Sequence, residues 1–239
     1  MNTLQIRLLG DLNDFLPQHL REQAITISFG DNQSLKHLIE SMGVPHPEIS
    51  RILVNSQETD PGDIAQPDTL VEVIPYEPGD PRIRPPEIRF VLDCHLGKLA
   101  SYLRILGFDV AYANDAKDET LAKLSDRENR ILLTRDRGLL KRKSIQFGYC
   151  IRSQNPRSQL LGVLQRYDLR GEIDPFTRCP VCNGCLQPVA KSDLDDLLPA
   201  NTRIYFDRFW QCVSCKKVYW QGSHYQRIQD WLKAFLEIP

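Results

Sequence analysis

Two pairs of cysteines with the same internal spacing constrain the C-terminal quarter of this 239-residue chain more than any other feature. Cys179-Pro-Val-Cys182 and Cys212-Val-Ser-Cys215 each place two thiols on one tight turn. Two such turns supply the four sulfur ligands that zinc prefers in tetrahedral structural sites. The spacer between the pairs exceeds the usual length of about 15–20 residues, which an inserted loop at 191–200 explains. We expect one structural Zn²⁺ ion bound by Cys179, Cys182, Cys212 and Cys215.

A fifth cysteine leaves an alternative open, because Cys182-Asn-Gly-Cys185 has the same spacing. We prefer Cys179 with Cys182, since Pro180 and Gly184 suit a turn that presents backbone N–H groups to sulfur. A redox role for Cys182 and Cys185, and burial of the thiols as small hydrophobic groups, are the competing interpretations.

The residues around the cysteine pairs favour a small zinc ribbon at 171–239 that ends in a C-terminal helix. Strands at 203–212 and 217–220 are rich in aromatic residues, which in a small domain are more often core than base-stacking groups. His224 is close enough in sequence to be a spare ligand, but four thiolates already fill a zinc site, so we expect a polar or nucleic-acid-facing role for it.

Composition and charge exclude several classes of protein. Thirty basic and thirty-one acidic residues give a net charge of −1, so no global field attracts a polyanion. No apolar run reaches the roughly 18 residues of a membrane span, and the first residues lack the pattern of a signal peptide. Seven cysteines, five of them clustered, do not resemble a secreted disulfide framework. We expect a cytoplasmic chain with no membrane partner.

Residues 1–76 show the pattern of a ubiquitin-like β-grasp domain. Apolar and polar residues alternate at 4–8 and 25–29, as in two paired strands. Ser34 caps a short helix that ends at Gly43, and strands follow at 51–55 and 70–75. Four prolines between residues 77 and 87 then mark a stiff linker and a domain boundary.

Residues 88–170 alternate between strand and helix patterns, which indicates a parallel sheet with helices on both faces. We predict strands at 88–92, 109–113, 130–134 and 147–151, and helices at 99–106, 119–129, 137–143 and 159–167. The fold class is therefore multidomain α/β, with a β-grasp domain, an α/β/α parallel-sheet domain and a zinc ribbon. Ligands bind such sheets beyond the carboxyl ends of the strands.

Four aspartates follow the predicted strands at that functional edge. Asp93 and Asp136 come directly after buried strands, and Asp115 and Asp118 lie just beyond a third. Clustered carboxylates suit Mg²⁺ or Mn²⁺, which activate water in phosphodiester hydrolysis. The alternatives stay open that Asp118 only caps a helix and that Asp115 is a solvated loop residue.

The densest basic patch lies beside Asp136 and would suit a phosphate backbone. A run of charge is also typical of a solvated helix face, so the patch alone does not establish binding to nucleic acid. The candidate phosphate-binding residues are Lys98, Arg104, Arg135, Arg137, Lys141 and Arg142.

Several short motifs, in this order, resemble the Mut-seven C-terminal RNase family from about residue 87 to the end of the chain. The motifs are Phe90-Val-Leu-Asp93, Leu96-Gly-Lys-Leu-Ala100, Leu103-Arg-Ile-Leu-Gly-Phe-Asp109, Leu132-Leu-Thr-Arg-Asp-Arg137, Cys179-Pro-Val-Cys-Asn183 and Val218-Tyr-Trp-Gln-Gly-Ser-His224. The resemblance implies a PIN-like nuclease fold with an appended zinc ribbon and metal-dependent cleavage of RNA.

The resemblance also implies roles for individual residues. Asp93 and Asp136 would bind the catalytic metal, with Asp115 or Asp118 as the third acid. Arg104, Arg135 and Arg137 would hold phosphates. Larger PIN nucleases commonly carry a fourth acid after the position of Asp136, and the sequence Arg-Gly-Leu-Leu-Lys supplies none.

The N-terminal domain resembles the ubiquitin-like domain that sometimes precedes this RNase module. The domain also resembles the small sulfur carriers in the order of its elements, but those carriers end in a free Gly-Gly. Here Pro78-Gly79-Asp80 continues into another domain, which argues against sulfur carriage and favours a binding or regulatory role toward a protein partner. The leading hypothesis is a metal-dependent ribonuclease, a hydrolase that acts on RNA. The alternatives are an RNA-binding module that does not cleave and a protein-interaction adaptor.

Overall fold

The computed structural model describes residues 1–194, 198–222, 226, 229–231, 233 and 234. Contacts within the chain divide it into two compact units. The first comprises Met1–Gly97 and Tyr112–Asp168, and the second comprises Lys98–Ala111 and Leu169–Pro239. The boundaries at 76, 87 and 170 stay predictions from the sequence pattern.

The strands are β1 Asn2–Leu8, β2 Ala24–Phe29, β3 Ile49–Val54, β4 Gln57–Thr59, β5 Leu70–Pro75, β6 Arg89–Leu92, β7 Asp109–Tyr112, β8 Ile131–Thr134, β9 Gly148–Cys150, β10 Leu186–Val189, β11 Phe209–Cys212 and β12 Val218–Trp220. The α-helices are α1 Leu35–Ser41, α2 Gly97–Ile105, α3 Asp118–Glu128, α4 Arg137–Leu140, α5 Pro156–Arg166 and α6 Ala200–Tyr205. Short 3₁₀ helices occupy Gly10–Phe15, Gln18–Leu20, His46–Glu48, Pro81–Ile83, Cys94–Leu96, Arg170–Glu172 and Lys191–Leu194.

The N-terminal sheet has the strand order β2-β1-β5-β3-β4. β1 pairs antiparallel with β2 and parallel with β5, an arrangement that places the first and last strands at the centre. Alternate residues of β1 point inward, and Leu4, Ile6 and Leu8 are at most 2% exposed. Helix α1 begins after Ser34, whose side chain accepts a hydrogen bond from the backbone N–H of His37. The predicted β-grasp arrangement is observed, with the short strand β4 as an addition.

The proline-rich segment 77–87 is packed against the chain that follows it. The Asp80 side chain accepts from the backbone N–H of Arg82 and caps the 3₁₀ helix Pro81–Ile83. The N–H of Gly79 donates to the carbonyl of Arg166 at 3.0 Å, and Arg84 donates to the carbonyl of Tyr167 at 3.1 Å. Ile83 is 5% exposed, so the segment joins the two domains through fixed contacts.

The second sheet has the strand order β7-β6-β8-β9. β6 pairs parallel with β8, and β8 pairs parallel with β9, as the alternation of strands and helices predicts. All four residues of β8 are buried, as expected for a central strand covered on both faces. The carboxyl ends of β6 and β8 therefore lie side by side, and the residues after them share one edge of the sheet.

The C-terminal part of the second unit contains a three-stranded antiparallel sheet in the order β10-β11-β12. Leu194, Leu198 and Phe209 form its core, with Phe206 and Trp220 packed against them. The prediction of one strand over 203–212 is wrong at its start, since α6 occupies Ala200–Tyr205 and the strand begins at Phe209. Pro199 has a φ of −56° that suits the entry to a helix, and Tyr205 is 75% exposed.

Gly107 ends helix α2 in a conformation that other residues rarely adopt. Its φ is +97°, and a Cβ atom there would lie 2.2 Å from the carbonyl oxygen of Asp174. The close approach requires glycine and fixes the start of β7. No helix in the described part of the chain combines the length and apolar character needed to cross a membrane.

Candidate functional site

Asp93 and Asp136 are joined by the hydroxyl of Thr134 at the carboxyl ends of β6 and β8. The Thr134 Oγ1 donates to Asp93 Oδ2 at 2.8 Å and accepts from the backbone N–H of Asp136 at 2.9 Å. The parallel pairing of the two strands brings the residues to this edge. One hydroxyl therefore fixes both acids relative to each other.

The two carboxylates differ in what they contact. Asp93 is 8% exposed, whereas Asp136 is exposed. Asp136 Oδ1 accepts from the backbone N–H groups of Gly138 and Leu139, at 2.6 and 3.3 Å, and so caps α4. Its Oδ2 has no hydrogen-bond partner among the described residues. That oxygen is available to a ligand.

Asp93 is held in its charged form. Burial acts to raise its pKa, but hydrogen bonds from Cys94 and Thr134 and the charge of His95 outweigh burial and lower the pKa below its usual value. A carboxylate that is ionised and partly shielded from water is a good ligand for a hard divalent cation.

The turn after Asp93 adds two further donor groups. One ligand atom from each of Asp93, Cys94 and His95 lies within 4.8 Å of the other two. Tyr112 fixes this turn, because its hydroxyl donates to the Cys94 carbonyl at 2.8 Å. The group includes a thiol and an imidazole, which are softer ligands than the oxygens that Mg²⁺ prefers.

Asp115 is an exposed residue between β7 and α3, and Asp118 is an exposed residue of α3. Asp118 is the first residue of α3, and the preceding Lys117 occupies the cap position. Its Oδ2 lies 4.0 Å from Nη2 of Arg142. Within the described residues, the four aspartates do not supply three carboxylates whose oxygens lie within 4.8 Å of one another. Their roles as metal ligands therefore stay a prediction.

Four of the cysteines converge in the second unit. One sulfur from each of Cys179, Cys182, Cys212 and Cys215 lies within 4.8 Å of the others. The Sγ atoms of Cys179 and Cys215 are 3.7 Å apart, and those of Cys182 and Cys212 are 3.4 Å apart. A sulfur tetrahedron with zinc bonds of about 2.3 Å has edges of about 3.8 Å. The cluster is therefore compatible with zinc binding, and Cys185 is not part of it.

The surroundings of these sulfurs differ in their effect on the thiols: burial raises the pKa of Cys182 to about 12, whereas other groups favour the thiolate at Cys179 and Cys212. The Tyr219 hydroxyl lies 3.0 Å from Cys179 Sγ, where it is placed to donate to a thiolate. Burial raises the pKa of Cys212, but the backbone N–H groups of Cys215 and Ser214 outweigh it and lower the pKa to about 7. A Cβ atom at Gly184 would lie 2.8 Å from Cys212 Sγ, so glycine is needed there.

Arg104 and Asn183 fasten the first cysteine turn to the end of β7. Arg104 is 4% exposed, and its guanidinium donates to the carbonyls of Val110 and Val181, both at 2.9 Å. The Asn183 side chain accepts from the Val110 N–H at 2.9 Å and donates to Asp109 at 3.0 Å. Because these carbonyls engage the Arg104 guanidinium, the phosphate-binding set proposed below does not include it.

The other candidate phosphate-binding residues have different surroundings. Lys98, Arg135, Arg137 and Arg142 are exposed, and Lys141 is half-buried. The Arg137 Nη1 donates to the carbonyl of Phe15 at 3.0 Å, and Lys141 Nζ donates to the carbonyl of Glu40 at 2.5 Å. Two of these side chains therefore also contact the N-terminal domain.

Thr134 and Tyr219 are the residues of the two candidate sites that sequence reasoning missed. Thr134 stands in the Leu-Thr-Arg-Asp motif, but a buried threonine at a strand end has no distinctive spacing. Tyr219 belongs to an aromatic pattern that favoured core packing over base stacking and did not indicate a contact with a cysteine. His224, considered above as a spare ligand, lies outside the described residues.

The geometry defines a class: a ubiquitin-like domain, a parallel α/β domain with paired acids at its functional edge, and a four-cysteine cluster. Comparison with family models matches residues 88–232 to the Mut7-C RNAse domain and residues 1–79 to the Mut7-C ubiquitin domain. The chain therefore belongs to the Mut7-C RNAse domain family, which confirms the predicted resemblance and points to a nuclease role. No curated protein and no solved structure matches the chain.

Proposed function

We propose that this chain is a metal-dependent ribonuclease with a PIN-like catalytic domain and a C-terminal zinc ribbon. The observation that carries the proposal is the pair Asp93 and Asp136, joined through the Thr134 hydroxyl at the ends of two adjacent parallel strands. The family to which the chain belongs supports RNA as the substrate.

The acid pair fits a divalent cation. Asp93 offers an oxygen that is already ionised, and Asp136 offers Oδ2 while its other oxygen caps α4. Oxygen donors suit Mg²⁺ or Mn²⁺, and Asp115 or Asp118 would add a third carboxylate. A bound cation of this kind activates water and stabilises the leaving oxygen of a phosphodiester. The protein's own contribution is to hold Asp93 ionised and to fix the positions of the two acids relative to each other.

The proposed zinc has a separate role. Four thiolates complete a tetrahedral coordination shell and leave no open position for water or substrate. Zinc at Cys179, Cys182, Cys212 and Cys215 would therefore stabilise the three-stranded sheet and take no part in cleavage. The Tyr219 hydroxyl, 3.0 Å from Cys179 Sγ, would donate a hydrogen bond to that sulfur, a contact of the kind that tunes such sites.

The exposed basic residues would bind the RNA backbone. Arg135, Arg137 and Arg142 belong to the segment that follows β8 and includes Asp136, so they accompany the acid pair. Lys98 and Lys141 complete the proposed set. Phosphate contacts of this kind position a strand without reading its sequence.

Cleavage of labelled single-stranded and structured RNA tests the proposal, with Mg²⁺, with Mn²⁺ and with EDTA. We expect cleavage that needs the metal and falls by at least about a hundredfold in Asp93→Asn and Asp136→Asn. Asp126→Asn is the matched control, because Asp126 is an exposed aspartate of α3 that is not among the proposed metal ligands. If Asp93→Asn and Asp136→Asn cut RNA as fast as Asp126→Asn and the wild type, the proposal fails.

A second candidate is an RNA-binding module that does not cleave. The observation that favours it is the absence, in the described chain, of three clustered carboxylates among the four aspartates. Under this alternative the wild-type protein binds RNA equally well with Mg²⁺ and with EDTA and yields no product. If the wild-type protein binds RNA but does not cleave it, this second candidate is supported.

A further inference from the structure

An arginine-lined cavity of about 520 Å³ lies in the first unit, between the ubiquitin-like domain and the segments that follow β8 and β9. The ubiquitin-like domain contributes Asp14 and Arg21. The residues that face them include Arg135, Arg137, Cys150 and Arg152. The guanidinium groups of Arg21, Arg135 and Arg137 outnumber the one carboxylate in the lining and make the cavity a site for an anion, while the fourth arginine is paired with Asp11 and Glu48.

The arginines are held in place by contacts that leave donors unused. Arg21 donates through Nε to the carbonyl of Leu16 at 3.2 Å, and its Nη1 lies 3.3 Å from Asp14. Arg137 uses Nη1 for the carbonyl of Phe15. A guanidinium has five N–H donors, so each retains several for a ligand. Arg135 has no hydrogen-bond or ion-pair partner within the described residues.

The two remaining lining groups, Arg152 and Cys150, add no unpaired charge to the cavity. Arg152 lies over the Phe15 ring, 4.6 Å from its centroid, and pairs with Asp11 at 3.2 Å and with Glu48 at 3.6 Å. Burial raises the pKa of Cys150 to about 11, so this side chain stays a neutral thiol at physiological pH.

We propose that this cavity binds a backbone phosphate of RNA, so that the ubiquitin-like domain completes the RNA-binding surface of the RNase domain. The inference rests on the proposed function for the identity of the polyanion. Arg135 directly precedes Asp136, so a phosphate in the cavity would adjoin the segment that carries the proposed metal ligand. The cavity volume suits a nucleotide-sized group.

Binding of labelled single-stranded RNA, measured by fluorescence anisotropy in EDTA at several salt concentrations, tests the inference. We expect Arg21→Gln to weaken binding about tenfold and to reduce the salt slope by about 0.7, the value for one lost phosphate contact. Arg51→Gln is the matched control, since Arg51 is an exposed arginine on β3 of the same domain. Equal affinities for the two variants would overturn the inference.

A variant with the opposite sign strengthens the test. Asp14→Asn removes the carboxylate beside Arg21, so we expect tighter RNA binding with little change in melting temperature. Weaker binding in this variant would count against the inference.

Inorganic phosphate separates an RNA site from a small-anion site. We expect phosphate to raise the melting temperature of the wild type and not of Arg21→Gln. If Arg21→Gln loses the phosphate-induced rise in melting temperature but binds RNA as tightly as the wild type, the cavity binds free phosphate only and the inference is wrong. Binding is measured in EDTA and therefore does not depend on cleavage. If the protein binds RNA through Arg21 but never cuts it, the proposed nuclease activity is wrong and this inference is still supported.

Discussion

Glu48 of the ubiquitin-like domain accepts a hydrogen bond of 2.6 Å from the backbone N–H of Cys150 in the RNase domain. Glu48 is fully buried, and its Oε2 lies 3.5 Å from Arg166 and 3.6 Å from Arg152. Burial raises its pKa, although the two arginines oppose that effect. His46 reinforces the junction with a 2.9 Å contact between its Nε2 and the Ile145 carbonyl.

Replacement of Glu48 by alanine is expected to lower the free energy of unfolding by about 3–5 kcal/mol. Loss of Glu48 leaves the buried Arg166 without its ion-pair partner and leaves the half-buried Arg152 with Asp11 alone. Urea unfolding monitored by circular dichroism measures the change. Glu58→Ala, on exposed β4, is the control and should change stability by less than about 0.5 kcal/mol. A loss of equal size in both variants would refute the role of Glu48.

Replacement of Thr134 by valine is expected to move the acid limb of the pH–activity profile to higher pH. The valine keeps the shape of the side chain but removes the hydroxyl that lowers the pKa of Asp93. The stability that Asp93 contributes through its lowered pKa is present above its ordinary pKa and is lost as pH falls through the folded value. Thr134→Ser keeps the hydroxyl and should retain the wild-type profile. An unshifted profile in the valine variant contradicts the prediction.

Removal of a cysteine ligand is expected to abolish zinc binding. Cys182→Ser should lower the metal content from about one zinc per chain toward none, and thermal unfolding should shift to lower temperature because binding of structural zinc contributes to folding. Metal analysis after gel filtration measures the content. Cys185→Ser should retain the zinc, since Cys185 lies outside the four-sulfur cluster. Retention of zinc in Cys182→Ser would overturn the assignment.

Excess Zn²⁺ is expected to inhibit cleavage. Asp93, Cys94 and His95 bring a carboxylate, a thiol and an imidazole within 4.8 Å, and nitrogen and sulfur ligands favour zinc over Mg²⁺. Cys94→Ser should need a higher zinc concentration for the same inhibition. The inhibition curve of RNA cleavage at fixed Mg²⁺ is the measurement, with Cys185→Ser as the cysteine control. Identical curves for Cys94→Ser and wild type would exclude this site.

Periodicity predicted most of the secondary structure of this chain. The α/β segment was predictable because Leu132 and Leu133 form a fully apolar run between turn signals. Asp93 and Asp136 were located correctly at strand ends for the same reason. The failure at 203–205 has a local cause, since Ile204 and Tyr205 have strand propensity but occupy a helix that Pro199 introduces.

The contacts between the two domains were beyond the reach of the sequence. Glu48 and Arg166 are 118 positions apart, and neither belongs to a motif that predicts their ion pair. The spacing of Cys179 and Cys182 predicts that both thiols lie on one turn, whereas a buried carboxylate is recognised only when its neighbours are known. Arg104 illustrates the same limit, because nothing in the sequence predicts that its guanidinium donates to the carbonyls of Val110 and Val181.

The buried Glu48 also limits how this pair of domains can be rearranged in evolution. A relative that lost the ubiquitin-like domain would leave Arg152 and Arg166 facing solvent on an apolar surface formed by Tyr149. Such a chain would have to replace the two arginines or gain an acid elsewhere. The fusion is therefore expected to be hard to reverse, and RNase domains that occur alone should carry different residues at these two positions.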